Sequence, residues 1–368
     1  MINDFFTHPM RIFFLLSSIF VIPASLIFFT NFDFVTLHKV FFLQLMVPSA
    51  YLGFLFTAIP DWTQYHDNLK QHVIACFALL IVAFLFSFIN LTIVNFTVSF
   101  IWFYMLIFST YIVWLDRNDN QFSILFSLLC FVVLSFLYAF TDESIYLNSQ
   151  VFLNCALIML VSFRVSLAIG REALKLQKEN ENVFIPNGVY KNIAVFSIFL
   201  FIIGSFFIQS KIVLGFVLLA SSSAILAKLK ELHYIILIKN HYILFYYILE
   251  LFMAIGFLGL GLSYIFNLPY EPASLHILTI SGLIGFIYFV FNVAGMRHSG
   301  FVILNFFISS KIGIVLILLA TISRSFLYIY GNLFYLYLPS ILLALVFAVY
   351  MYEFFIVFKD NEFSDDPE

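Results

Sequence analysis

The sequence predicts an all-α fold, a polytopic transmembrane helix bundle of about twelve helices with both termini in the cytoplasm. Three observations predict it. Of the 368 residues, 63% are hydrophobic and only 10% charged, and the mean hydropathy is +1.06. A soluble domain carries about a quarter charged residues, so this chain lacks the means to cover itself with a water-facing surface. Apolar runs long enough to cross a bilayer recur along the whole chain, and Lys and Arg sort to one side of them.

The runs are separated by clusters of Gly, Pro, Asn, Asp and Lys. The first two helices are predicted at roughly 10–30 and 38–59, followed by the polar stretch PDWTQYHDNLKQ. Helices three and four, at roughly 72–90 and 93–115, are split only by INLT. DRNDN leads into a fifth at about 122–141, and TDESIYLNSQ into a sixth at about 150–170. The longest connection, REALKLQKENENVFIPNGVYKN, precedes a seventh at about 193–209. An eighth at about 211–228 is followed by KLKELHYIILIKN, which predicts an interfacial helix. The last four are predicted at roughly 242–266, 274–295, 302–324 and 334–357. Residues 1–358 thus form one membrane domain, and residues 359–368, KDNEFSDDPE in context, form an acidic, disordered cytoplasmic tail.

Of the 17 Lys and Arg residues, only Lys39, Lys211 and Arg324 fall on the side opposite the N-terminus. Cytoplasmic loops collect basic residues, so the N-terminal side is the cytoplasm. The N-terminal MINDFFTHPMR lacks the basic start of a signal peptide, so the first apolar run is read as a retained helix. The chain is placed in the bacterial inner membrane as a multi-pass protein with membrane lipid as its surroundings. A net charge of −3 points to no nucleic-acid partner. Cys76, Cys130 and Cys155 each stand alone in an apolar run and read as small core residues.

Polar groups inside a bilayer are costly, so each is a candidate for function. Glu250 lies about two turns inside the ninth helix, where it must be protonated, paired or facing a wet cavity. Asn292 is a second intramembrane polar residue. His38 opens the second helix and His276 the tenth, and the predicted topology puts both about one turn below the outer surface. His8 and His298 fall on the inner side. Imidazole is the usual nitrogen ligand of haem iron and copper, and neighbouring helices can supply one each. The plainer alternative is a hydrogen-bonded end-cap. His66, His72, His233 and His241 fall in polar connections and read as solvated.

Around these histidines the sequence resembles the NnrS family of bacterial membrane proteins. THPMRIFFLLSSIF (7–20) is similar to that family's H-P-F-R-P-F-F-L-L opening. LHKVFFLQLMVPSAYLGFLFTAIPDWT (37–63) is similar to its W-H-A-H-E-M … G-F-L-L-T-A-V-P-x-W-T segment. GFLGLGLSYIFNLPYEPASLHILTISGLIGFIYFVFNVAGMRHSG (256–300) is similar to its L-G-L … L-H-x-L-T-x-G-x-x-G … G-H-T-G stretch. The resemblance implies a haem- and copper-containing inner-membrane protein of the nitric oxide response, protecting against nitrosative stress. Its ligands would be nitric oxide or iron-nitrosyl species.

His8, Arg11, His38, Trp62, His276 and His298 fall on family positions. The resemblance therefore implies His8, His38, His276 and His298 as cofactor and metal ligands, with Arg11 beside them. The chain departs from the family at Val40 and Phe41, which replace a His and a Glu. It departs again near Asn292 and Val293, where the family's Arg is displaced to Arg297, and at Tyr247, where a further His is expected. Each motif also has a packing reading. Arg11 could snorkel to anionic lipid or clamp a haem propionate. Trp62 fits an interfacial anchor, and Gly282 and Gly285 allow close helix packing.

The function class that competes with haem binding is a secondary transporter of a small solute, a common use of about twelve helices. No half-to-half repeat supports it, since His38 and His276 are eight predicted helices apart. A haem–copper terminal oxidase would need an adjacent His-His pair, which the sequence lacks.

Overall fold

The computed structural model describes residues 2–63, 65, 67–117 and 119–364. Among them there is no strand. Eleven helices are long and apolar enough to cross a membrane, and a twelfth, shorter apolar helix stands where the third crossing was expected. In chain order they are α1 Pro9–Phe29, α2 Phe34–Thr63, α3 Lys70–Phe86, α4 Leu91–Asp116, α5 Phe122–Thr141 and α6 Ser144–Leu176. There follow α7 Gly188–Phe207, α8 Lys211–Leu232, α9 His241–Phe266, α10 Glu271–Arg297, α11 Ile308–Phe326 and α12 Leu333–Asp360. The chain is a multi-pass membrane protein.

The polar breaks act as helix caps. Asn90, inside the weak INLT break, accepts from Thr92 N and Ile93 N and so starts α4. Asn187 does the same for α7 through Val189 N and Tyr190 N. At the other ends, Arg117, Asp142 and Asn267 take the left-handed backbone at φ 51°, 58° and 52°, which stops α4, α5 and α9. The connection after α8 does not form the expected interfacial helix. Lys230–Leu232 closes α8 as a 3-10 turn, and only the four residues Ile235–Ile238 are helical beyond it.

The eleventh helix begins later than predicted, and the reason is side-chain capture of its approach. Glu172 Oε1 accepts from Leu304 N at 2.7 Å, and His241 Nε2 accepts from Phe306 N at 3.2 Å. With those donors taken, helical pairing starts only at Ile308.

The helices gather into two compact units. One comprises Met1–Gln150, Val293–Val302 and Ser340–Glu368, and the other Val151–Asn292 and Ile303–Pro339. In the first unit α1 and α2 are tied by Ser17 Oγ to Met46 O (3.0 Å) and Ser49 Oγ to Phe13 O (2.9 Å). Gly53 lets them approach, since a Cβ there would lie 2.7 Å from the Phe14 ring. Trp102 of α4 stacks on Phe131 of α5 at 4.2 Å and 5°. In the second unit Gly215 of α8 and Gly261 of α9 bring backbones together, a Cβ on either meeting the other's carbonyl oxygen at 2.9 Å. Gly285 faces Leu249 at 2.6 Å from its would-be Cβ, so the packing reading of that glycine is observed. Cys76 and Cys155 are buried and all three cysteines are free thiols.

Candidate functional sites

His38 lies in the first unit, in the last turn of the six-residue α-helical start of α2, Phe34–Lys39. The next residues, Val40–Met46, switch to π-helical pairing before α-helix resumes at Val47. His38 Nδ1 lies 3.0 Å from the Ala24 carbonyl oxygen, and its ring meets those of Phe28 and Phe42, each at 4.9 Å. His276 has the same local setting in the second unit. It ends the six-residue α-helical segment Glu271–His276, and Ile277–Gly285 follow as a π-helix. Its Nδ1 lies 2.7 Å from the Pro272 carbonyl oxygen. A carbonyl only accepts, so in both histidines Nδ1 carries a proton, and in the neutral imidazole the lone pair is then on Nε2. π-Turns concentrate at functional sites because they re-aim side chains at a cost in helix stability.

His8, Arg11 and His298 come together in the first unit. Arg11 is buried, and its guanidinium does not reach for lipid. It donates from Nη1 to Phe358 O and from Nη2 to Asn361 O, both at 2.9 Å, at the C-terminal end of α12. Carbonyls of a helix end carry partial negative charge, which suits a cation. The expected disordered tail is docked as far as Ser364. Phe363 stacks its ring nearly parallel to both His8, at 3.9 Å and 7°, and His298, at 5.1 Å and 9°. It is the only aromatic residue of the KDNEFSDDPE segment, the one local sign that part of the tail could bury.

Glu250 is fully buried and paired, one of the alternatives the sequence left open. Its partner is Lys228, Nζ to Oε1 at 2.7 Å, with both side chains 0% exposed. Lys228 stands where the predicted eighth helix meets its basic connection, and it lies within α8. Its ammonium also donates to Glu231 Oε1 at 2.9 Å and to the Tyr246 hydroxyl at 3.3 Å, which uses all three N–H bonds. The Tyr246 hydroxyl lies 2.8 Å from Glu250 Oε1 and 3.1 Å from the Ser162 carbonyl, and Glu231 Oε2 accepts from Asn187 N at 2.7 Å. The cluster so ties α6, α7, α8 and α9 of the second unit. Glu250 Oε2 is buried and has no donor among the described residues.

The remaining polar candidates divide. Asn292 is fully buried and donates to Tyr288 O at 2.8 Å, with its own Oδ1 unsatisfied. His72 and His241, expected to be solvated, are half-buried and hydrogen-bonded. His72 Nδ1 hydrogen-bonds the Tyr104 hydroxyl at 2.5 Å beside the Phe108 ring, and His241 caps the approach to α11. His233 is exposed beside the Tyr247 hydroxyl, 3.1 Å away. His66 lies outside the described residues. No group of three or more His, Cys, Asp or Glu side chains with metal-holding geometry occurs among the described residues.

An all-helical, multi-pass chain with histidines at π-turns defines an integral membrane protein with imidazole donors at its helix starts. The model of the NnrS protein family matches residues 4–360. The chain belongs to the NnrS family, membrane proteins of the nitric oxide response. No curated protein and no solved structure matches it.

Proposed function

We propose that this chain binds haem in the bacterial inner membrane and protects the cell against nitrosative stress by handling nitric oxide or its iron adducts. The observation that carries this reading is the matched state of His38 and His276. A histidine that ligates a metal through one nitrogen holds its other N–H on a carbonyl or carboxylate, which fixes tautomer and ring orientation. Both residues meet that requirement through Ala24 O and Pro272 O. Each of the two would hold haem iron through Nε2. Bound haem would supply an iron that coordinates nitric oxide. The chain's own part is to hold each imidazole through its Nδ1–H on a backbone carbonyl.

For copper, the other candidate pair is His8 and His298, both stacked on the Phe363 ring.

A second reading, a secondary transporter, draws on the Lys228–Glu250 pair, because buried ionisable residues in membrane spans commonly serve coupled ion movement. The absorption spectrum of the purified, detergent-solubilised protein separates the two. A Soret band in near-stoichiometric amount is expected. A colourless, metal-free preparation that is folded favours transport.

A further inference from the structure

In the first unit α4 and α5 are joined by residues 117–121 and run side by side, yet the seam between them is not uniform. At the end far from the connection it is zipped by phenyl rings. Phe96 meets Phe140 at 5.1 Å and Phe100 meets Phe136 at 5.5 Å, both edge-on. Toward the connection the seam opens into a trough of about 630 Å³, walled by Ile107, Tyr111 and Trp114 of α4 and by Phe122, Phe126 and Leu129 of α5. Its lining is almost wholly apolar. Thr110, Trp114 and Leu125 continue from the trough into a second cavity of about 570 Å³, and Arg117 stands in the lining of that one. Trp114 is 72% exposed and Tyr111 49%, so both rings face outward from the seam.

The two cavities in series have the polarity profile of a phospholipid, apolar for the length of a chain and then cationic. On α4 the trough runs from Leu106 to Trp114, about 12 Å at the rise of a helix, against about 15 Å for the hydrocarbon of one leaflet. Arg117 follows just past the end of the span, where its φ of 51° carries the chain out of α4. Indole and phenol rings settle at the same headgroup level. A gap left empty would forfeit the dispersion contacts of its walls, so an apolar chain is drawn into it. A guanidinium selects phosphate among headgroup parts, because paired, charge-assisted hydrogen bonds match its fork. Asp116, next in the chain, is exposed and belongs to neither lining. We propose that this seam is a binding site for one anionic glycerophospholipid, with an acyl chain in the trough and the phosphate at Arg117. The proposal does not rest on haem at His38 and His276.

The test uses the full chain in detergent, titrated with dioleoyl phosphatidylglycerol or with dioleoylglycerol, which has the same chains and no phosphate. Bound lipid is read by native mass spectrometry. The wild type should hold one phosphatidylglycerol roughly three- to tenfold more tightly than the diacylglycerol. Arg117→Ala should lose that preference and hold the two alike. Leu129 is 46% exposed, so Leu129→Trp fills the trough from its open side and should weaken both lipids. A phosphatidylglycerol with a photoreactive acyl chain should label residues 106–129 of the wild type, and less so in Leu129→Trp. The proposal is overturned if the wild type holds the two lipids equally, or if Arg117→Ala keeps the preference. It is equally overturned if Leu129→Trp binds and labels as the wild type does. A wild-type dimer that Leu129→Trp disrupts would give the trough to a second copy of the chain and overturn it as well.

Discussion

Arg11 in the first unit and Lys228 in the second are both buried cations near helix ends, and they are held in opposite ways. Arg11 is neutralised in part by dipoles, the carbonyls of Phe358 and Asn361, and lies 5.8 Å from the centroids of the Phe358 and Phe363 rings. Lys228 is held by full charges, the carboxylates of Glu231 and Glu250. A cation held by dipoles leaves carbonyls short of a donor when it is removed. A cation held by carboxylates cannot be removed without leaving buried charge behind. The two units therefore respond differently to the loss of one side chain.

The largest effect expected is at Lys228. Lys228→Met leaves Glu231 and Glu250 facing each other without a counter-charge and should cost about 3–5 kcal/mol in unfolding from mixed micelles. The double variant Lys228→Met/Glu250→Leu removes the stranded charge and should regain a large share of that loss. A double variant no better than the single would mean that the ion pair is not what makes Lys228 necessary.

Glu250 itself should be more forgiving, because Lys228 keeps Glu231 as counter-ion. Glu250→Gln preserves the shape and an acceptor for Lys228 and Tyr246, and should retain expression and fold. Glu250→Ala leaves those donors short of a partner and should cost about 1–3 kcal/mol in the same assay. If both variants fold but lose protection against nitrosative stress, the carboxylate is needed for more than stability. Equal, wild-type behaviour of both would remove Glu250 from the functional candidates.

Arg11→Leu should show the smallest loss, about 1–2 kcal/mol, as the carbonyls of Phe358 and Asn361 lose their donors. Because those carbonyls lie just before Phe363, which stacks on both imidazoles, the variant should also raise carbethoxylation of His8 and His298 by diethyl pyrocarbonate. A loss as large as that at Lys228 would erase the distinction between the two modes of burying a cation.

The same contrast explains what the sequence reveals. Helix number and most boundaries are legible because hydropathy is a local property, and breaks such as INLT and TDES contain the residues that cap. The start of α11 is not, because the side chain that intercepts Leu304 N is Glu172, 132 positions earlier. Glu250 stands out by the cost of burying it. Lys228 does not, because a lysine in KLKELH looks like a basic loop residue until its distant partner, 22 positions on, is known. His38 and His276 are visible as residues, while the carbonyls that set their tautomers and the π-turns that follow them are tertiary and helical details without a sequence signature. Phe363 looked solvated because its neighbours are charged, and its docking depends on His8 and His298, which no local pattern links to it.

The central claim is that His38 and His276, each fixed as an Nε2 lone-pair donor, hold haem. The direct measurement is the Soret spectrum of His38→Ala and His276→Ala purified beside the wild type, with protein levels compared on the same membranes. The account predicts a clear Soret band in the wild type, and its loss or a shift to a different spin state in each variant at maintained protein level. A wild-type spectrum retained in both variants would contradict it.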